Sequence, residues 1–157
     1  MAKVVAKDKR IEASQLVLNE RVVATRRVSK VVKGGRKLRF NALVVVGDGE
    51  GVVGVGLGKA ITIPDAVRKG NSVAKRSLIR IPLKGSTIPQ KTLCKKAASI
   101  VLIKPAPIGT GLIAAAAVRA VLDLAGVKDV VAKTLGSRNP INVVYATMDA
   151  LRQLRDP

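Results

Sequence analysis

The segment "GDGEGVVGVGLGKA", residues 47–60, sets the arrangement of the N-terminal part of the chain. Its second half places a glycine after each apolar residue, in the order Val53-Gly54-Val55-Gly56-Leu57-Gly58. Alternate residues of a β-strand face the same side, so one face of this strand carries apolar side chains and the other carries none. A bare strand face permits close approach of another backbone. We therefore predict a strand packed closely against a helix, with direct contact to an RNA backbone as the alternative.

The same glycines match nucleotide-binding patterns, but their context argues against that function. Gly49, Gly51 and Gly54 fit GxGxxG, which binds dinucleotides where it opens a helix after a strand. Here Asp48 and Gly49 are typical of a hairpin turn, so the motif leads into another strand. A phosphate-binding loop would also need Ser or Thr at the position of Ala60 to hold magnesium. We predict no nucleotide, cofactor or metal site.

Hydrophobic periodicity predicts three strands and a helix in the N-terminal half. β-Branched residues interleaved with bases indicate a strand over residues 21–33, with one face on a core and the other toward a polyanion. Further strands are expected over residues 38–46 and 52–59. Pro64 suits the first turn of a helix, which we expect to end near residue 80.

Pro82, Gly85 and Pro89 interrupt any regular element, so we place a domain boundary at residues 82–86. Together with a basic arm at the start of the chain, this boundary gives three parts. They are a flexible basic arm (1–19), a first domain (20–84) and a second domain (85–157).

The second half repeats the alternation of strands and helices. A short apolar strand is expected over residues 99–105, and a helix over residues 112–125 with Gly126 just past its end. Another strand should follow over residues 127–135. Asn139-Pro140 has the composition of an N-cap and first residue of a last helix.

The charge of the chain favours nucleic acid as its partner. Lys and Arg number 29 against 10 Asp and Glu, for a net charge of +19. Eight of these bases and no acid lie between residues 21 and 39. A surface this basic repels itself unless a polyanion neutralises it. No apolar run reaches the length of a spanning helix, so a membrane is not expected as a partner.

The type of nucleic acid follows from what the chain lacks. Phe40 and Tyr145 are its only aromatic residues, which excludes base-stacking platforms of the single-strand-binding type. The sequence also lacks the helix-turn-helix, zinc-finger and basic-zipper patterns of DNA-binding proteins. Recognition of folded RNA through phosphates, 2′-hydroxyls and shape remains.

Catalysis is disfavoured by the residue types that the sequence lacks. The chain contains no histidine, so its single Cys94 has no base to activate it. One cysteine also cannot form an internal disulfide, which fits a reducing compartment. An enzyme acting on RNA or nucleotides would have to use Asp48, Glu50 and Lys59, and it stays open as an alternative beside a free-standing RNA chaperone.

Several longer segments resemble the family of small-subunit ribosomal protein number five, in its bacterial and organellar form. "RVSKVVKGGRKLRFNALVVVGDGEGVVGVGLGKA" resembles the first domain of that family. "IPLKGSTIP", "PAPIGTGLIA" and "VRAVLDLAGVKDVVAKTLGSRNPINVV" resemble the second, as does "ATMDAL". The likeness extends from about residue 18 to residue 154, with the motifs in the family's order.

The resemblance implies an α+β fold of two small domains and a non-enzymatic structural role. The first domain would be like a double-stranded-RNA-binding domain, with three strands followed by a helix, and the second would contain a βαβ unit. The family site is the junction of the body and head of the small subunit. There we expect contacts with rRNA, with the fourth and eighth small-subunit proteins and with mRNA where it enters, and an influence on decoding accuracy. The expected location is a ribosome in the bacterial cytoplasm, with a plastid or mitochondrial ribosome as the alternative.

The candidate RNA-binding residues combine the basic stretch with bases of the predicted helix. In the family, the loop that matches residues 29–35 reaches into RNA, and its two glycines suit a tight turn close to phosphates. The full set is Arg21, Arg26, Arg27, Ser29, Lys30, Lys33, Gly34, Gly35, Arg36, Lys37, Arg39, Arg68, Lys69 and Arg76.

The chain departs from the family pattern in its second half. Gln90 stands where the family usually has His, and Ala115 and Ala116 replace a usual Gly-Gly pair. A segment that typically contains glycine is written here as "TLCKKAAS".

Overall fold

The computed structural model describes residues 17–155, without the side chains of Lys30, Val32 and Arg36. The predicted basic arm therefore lies outside the described residues over its first 16 positions. At Asn19 the chain is already in the first strand. No helix within residues 17–155 is long and apolar enough to cross a membrane.

The N-terminal half is an antiparallel sheet with one helix. Its elements are β1 (Asn19–Val32), β2 (Gly35–Gly47), β3 (Val52–Ala60), α1 (Ile63–Arg76) and β4 (Ile79–Arg80). The strands lie in the order β1-β2-β3-β4. The three predicted strands are present, and the two-residue β4 adds a fourth.

Strand β2 shows how this sheet is covered on both faces. Ala42 and Val44 are fully buried in a small cluster with Ala66 and Ala74 of α1. Leu43 alternates with them and belongs to the larger core that contains the C-terminal helices. Because successive side chains of a strand point to opposite faces, one face of the sheet receives α1 and the other receives the C-terminal half.

The predicted end of α1 near residue 80 is wrong by four residues. The helix ends at Arg76, and Ser77 is its C-cap. The Ser77 hydroxyl donates to the carbonyl oxygen of Val55 in β3 at 2.7 Å. Ile79 and Arg80 then pair with the start of β3 as β4. Ile79 and Arg80 therefore pair with the sheet, although their local sequence allows a helix.

The C-terminal half is a mixed sheet with two helices. It contains β5 (Thr92–Lys96), β6 (Ser99–Pro105), β7 (Leu112–Ile113), α2 (Ala116–Ala125), β8 (Val130–Gly136) and α3 (Pro140–Arg152). The strand order is β5-β6-β8-β7, with β7 parallel to β8. β7, α2 and β8 form a βαβ unit, which confirms that part of the expected fold.

Sequence patterns at the helix ends of this half are confirmed. Gly126 is the left-handed C-cap of α2, with a φ of 88°. The Asn139 side chain caps α3 by accepting a hydrogen bond from the N–H of Ile141, and Pro140 lies in the first turn. The predicted strand over residues 99–105 coincides with β6.

Three assignments in this half are wrong. The strand predicted over residues 127–135 begins only at Val130. The predicted helix over residues 112–125 begins only at Ala116, because Leu112 and Ile113 pair with β8. Strand β5 was not predicted, and it forms a hairpin with β6 through the two-residue turn Ala97-Ala98. Ala97 has a φ of 51°, a conformation that the sequence does not signal because L side chains rarely adopt it.

The two halves share one core and are joined by backbone hydrogen bonds. Gly49 donates to Leu124 O at 2.9 Å, and Gly51 donates to Ala125 O at 2.8 Å. These carbonyls lie in the last turn of α2, where a helix has no N–H donors of its own to bond them. The first part of the glycine-rich segment thus caps a helix of the other half of the chain. The predicted domain boundaries stay a prediction.

Candidate nucleic-acid interface

The hairpin of β1 and β2 extends beyond the rest of the N-terminal sheet. Strand β3 ends at Ala60, which pairs with Phe40. Beyond that point β1 and β2 pair only with each other, from the Val28–Arg39 pair to the Val32–Gly35 pair at the tip. We call residues 28–39 the ribbon. Eight of the predicted RNA-binding residues lie in it: Ser29, Lys30, Lys33, Gly34, Gly35, Arg36, Lys37 and Arg39.

The tip of the ribbon requires glycine for its backbone conformation. Lys33 and Gly34 form a two-residue turn between the paired residues Val32 and Gly35. Gly34 has a φ of 102° and Gly35 a φ of 151°, both in the region that favours glycine. A Cβ at either position would meet nothing within 4 Å. These glycines therefore shape the turn and leave its outer surface open.

The ribbon is exposed on both of its faces. Val28 and Leu38 are each 41% exposed, and Val31 is 79% exposed. The prediction that one face of this strand lies on a core holds for Val23 and Ala24, which pack against the main core. It is wrong for Val28 and Val31, because among residues 17–155 no other strand pairs with the ribbon beyond Phe40. A two-stranded hairpin alone is marginally stable in water, so the ribbon has little support of its own beyond the sheet that it extends.

Two of the predicted RNA-binding residues also join the base of the hairpin to the C-terminal half. The Arg21 guanidinium lies 2.9 Å from an Asp123 carboxylate oxygen near the end of α2. Arg26 donates to Asn139 Oδ1, the oxygen that also caps α3, at 3.1 Å. Because these partners lie 102 and 113 residues away along the chain, no local sequence pattern predicts the two contacts. In contrast, Arg27, Lys37 and Arg39 are exposed and have no ion-pair partner among residues 17–155.

The bases of α1 lie on a different surface from the ribbon. Arg68 makes an exposed pair with Asp65 at 3.6 Å. Lys69 and Arg76 line a groove between α1 and β3 together with Lys59. The structure therefore divides the predicted set into ribbon residues, residues at the hairpin base and residues of α1.

The bare face of β3 lies against α1, as the glycine alternation predicts. A Cβ on Gly54, Gly56 or Gly58 would come closer than 3.0 Å to backbone atoms of the helix. On the helix side, Gly70 permits the same approach, because its Cβ would lie 2.8 Å from Cγ2 of Val44. This confirms the preferred interpretation, and it leaves no room for an RNA backbone on that face.

The residues of the enzyme alternative are not assembled into a site. Asp48 Oδ1 accepts hydrogen bonds from the N–H groups of Glu50 and Val52, at 2.8 and 3.0 Å. Its role is to close the turn before β3. Lys59 lies at the other end of that strand. Within the described part of the chain, no group of three or more Cys, Asp or Glu side chains is placed to hold a metal ion.

A buried carboxylate organises a loop that the sequence did not single out. Asp129 is 5% exposed, and its Oδ1 accepts from the N–H groups of Gly109 and Gly111 at 3.2 and 2.9 Å. The neighbouring Ser86 hydroxyl and the N–H groups of Gly111 and Gly109 lower the pKa of Asp129, against the opposing effect of burial. The carboxylate thus fixes the loop at residues 107–111, which exposes Ile108.

Comparison with known proteins identifies the family. The description "Ribosomal protein S5, N-terminal domain" matches residues 18–82, and "Ribosomal protein S5, C-terminal domain" matches residues 94–157. The chain belongs to the ribosomal protein S5 family. The matched ranges cover most of its length and follow the family's order.

Similar full-length members of the family come from bacteria, and all bear the name small ribosomal subunit protein uS5. The protein of Chloroflexus aurantiacus is 53% identical over 148 residues, which are 94% of this chain and 83% of the relative. That of Rubrobacter xylanophilus is 56% identical over 138 residues, 88% and 69% of the two chains. That of Syntrophobacter fumaroxidans is 52% identical over 146 residues, 93% and 88%.

Family membership settles the coarse function. The chain is a ribosomal protein of a small-subunit, RNA-binding family, and the family is not enzymatic. The two-domain α+β architecture and the absence of an enzymatic role are therefore confirmed. The contacting residues, neighbours and accuracy role are not decided by these matches.

The departures from the family pattern are accommodated in the S5 fold of this chain. The Gln90 side chain donates to Arg155 O at 3.0 Å and accepts from Arg155 N–H at 2.9 Å, so it ties the C-terminal segment down. Ala115 is the N-cap of α2 and provides no side-chain hydrogen bond. The segment that lacks the usual glycine forms the β5–β6 hairpin, with the strained Ala97 at its turn.

Proposed function

We propose that this S5-family chain is built into the small ribosomal subunit with its ribbon seated on rRNA at the junction of body and head. The observation that carries the proposal is the projection of residues 28–39 beyond β3, basic and, among the described residues, uncovered on both faces. Near the path by which mRNA enters, such a contact would support translational accuracy.

The chemistry of the ribbon fits phosphate contact better than base recognition. Lys37 and Arg39 are two residues apart on β2, so they share one face of the hairpin. Like charges held this close destabilise an isolated hairpin and are relieved when phosphates neutralise them. The bare Gly34-Gly35 tip allows an RNA backbone to approach closely. Lys30, Lys33, Arg36 and Ser29 belong to the same proposed surface.

Arg21 and Arg26 take a different part in the proposal. Their contacts with Asp123 and Asn139 fix the base of the hairpin against α2 and α3. A guanidinium has five N–H donors, so each side chain can hold its protein partner and still reach RNA. We propose that they set the direction of the ribbon first and contact RNA second.

The remaining proposals follow the S5 resemblance. They comprise contacts with the fourth and eighth small-subunit proteins, a ribosome in the bacterial cytoplasm as location, and a division at residues 20–84 and 85–157. Bacterial relatives of more than 50% identity support the location.

The proposal is tested by binding of the full chain to small-subunit rRNA over a range of salt concentrations. Neutralising Lys33 and Lys37 together (Lys33→Gln, Lys37→Gln) removes two phosphate contacts and should reduce the magnitude of the salt slope by about two units. The matched control, Lys104→Gln with Lys133→Gln, removes two exposed lysines of β6 and β8 and should leave the slope close to that of the wild type.

An equal reduction by both pairs would contradict the ribbon as the RNA-contacting surface. Failure of the chain to enter small subunits in cells, with RNA binding intact, would favour the free-standing chaperone.

A further inference from the structure

A basic groove lies between α1 and β3, apart from the ribbon. It has a volume of about 510 Å³ and is lined by Leu57, Gly58, Lys59, Lys69, Ser72, Val73 and Arg76. The four residues from α1 recur at i, i+3, i+4 and i+7, so they form one stripe along the helix. The lining contains three bases and no acid, which makes the groove complementary to a polyanion.

One wall of the groove is a strand edge with unpaired backbone groups. β4 covers β3 only at Val52 and Val53. The carbonyl oxygen of Val55 points to this edge, because it accepts from Ser77 Oγ at 2.7 Å. Backbone groups of alternate residues point the same way in an antiparallel strand, so those of Leu57 and Lys59 also face outward. Within residues 17–155 no strand pairs with that part of the edge.

The bases of the groove are not neutralised by any acidic side chain of residues 17–155. On the other side of α1, Glu20 lies 3.5 Å from Lys75. Lys59, Lys69 and Arg76 have no ion-pair partner in the described part of the chain. About 10 Å of helix axis separates Lys69 from Arg76, which is enough for each base to meet a different phosphate.

We infer that this groove binds the sugar–phosphate backbone of a second rRNA segment, distinct from the one under the ribbon. Lys59, Lys69 and Arg76 pair with phosphates, and the outward N–H groups of β3 and the Ser72 hydroxyl donate to backbone oxygens. An extended peptide could also pair with a free strand edge. Three unneutralised bases beside that edge favour RNA. The inference rests on the proposed rRNA-binding function and adds a second surface to it.

The inference is tested by directed hydroxyl-radical cleavage of small-subunit rRNA bound to the full chain. In a Cys94→Ser background, Fe(II)-EDTA is attached either at Ile61→Cys, between β3 and α1 beside the groove, or at Val31→Cys, in the ribbon; both positions are exposed, and neither is a proposed contact. We expect each probe to cut its own discrete set of nucleotides. Lys69→Gln with Arg76→Gln should reduce the magnitude of the salt slope by about two units, and the Lys104→Gln, Lys133→Gln control should not.

The outcomes separate this inference from the proposed function. Discrete cuts from position 31 alone, with the salt slope unchanged by the groove variant, would overturn the groove and leave the ribbon standing. No discrete cuts from either position would overturn both. Groove variants that bind rRNA normally but lose a ribosomal protein would identify the groove as a peptide site and would also overturn the inference.

Discussion

Glycine has opposite roles in β3 and at the tip of the ribbon. On β3, the positions Gly54, Gly56 and Gly58 have no room for a Cβ, because the backbone of α1 occupies the space. At the tip, Gly34 and Gly35 have empty space around them and a positive φ. The first group allows two elements of the protein to meet, and the second shapes a turn whose outer surface no described residue covers.

The two groups of glycines are therefore expected to affect different properties. Those on β3 should affect the stability of the fold, and those at the tip should affect RNA binding. Close packing of α1 on β3 holds a core cluster together, so changes on β3 should be measured as unfolding. The ribbon makes few contacts with the rest of the chain, so it can rearrange locally without unfolding the core. Changes in the ribbon should therefore be measured as RNA affinity.

The largest expected effect is on the packed face. Gly56→Val would force a branched side chain against the backbone of α1 at Gly70 and Ala74. We expect a loss of about 3 kcal/mol or more in the free energy of unfolding, because neither backbone can move without breaking its own hydrogen bonds. Urea denaturation, followed by circular dichroism, measures this loss of unfolding free energy.

The control places the same side chain on the same strand at an exposed position. Lys59→Val should change the free energy of unfolding by no more than about 0.5 kcal/mol. Equal stability of the two variants would mean that the glycine face is not closely packed.

A smaller effect is expected where turn glycines are fixed by a carboxylate. Asp129→Asn keeps one acceptor for the Gly109 and Gly111 N–H groups but loses the charge. Because the pKa of Asp129 is lowered in the folded protein, its contribution is fully present above the ordinary value of about 3.9 and is lost as the pH falls through the lowered folded value. The wild type should exceed the variant in stability at neutral pH, and the difference should vanish in acid. A difference that grew in acid would contradict the direction of the shift.

The smallest effect on stability is expected at the tip of the ribbon. Gly34→Ala introduces a side chain at a φ of 102°, which costs on the order of 1–2 kcal/mol locally. Since the ribbon can rearrange alone, we expect the midpoint of global unfolding to change little while rRNA affinity falls. Thermal unfolding and filter binding of the same preparation measure both quantities. A large drop in the midpoint with unchanged affinity would reverse the assignment of roles.

The sequence was sufficient where local physical rules decide the structure. The glycine alternation predicted the α1–β3 contact, and Asn139-Pro140 and Gly126 marked helix ends, because capping depends on residues a few positions apart. β5 and β7 could not be predicted in this way. Each forms because a neighbouring strand offers a register, and Ala97 adopts a φ for which its sequence gives no cue.

The candidate site shows the same limit. The basic stretch and its turn predicted where the ribbon lies. The number of charges did not show that Arg21 and Arg26 would be held by Asp123 and Asn139, because those partners come close only in the folded chain. The number of charges also did not show that Lys59 would lie with Lys69 and Arg76 along one groove.

The central claim is that the ribbon is the part of the chain that contacts rRNA. The most direct test is ultraviolet crosslinking in cells, with sequencing of the attached RNA and mass spectrometry of the attached peptide. We predict reads concentrated at the body–head junction of small-subunit rRNA, with residues 30–37 in the crosslinked peptide. Reads scattered over mRNA or tRNA, or rRNA attached only through peptides outside the ribbon, would contradict the account.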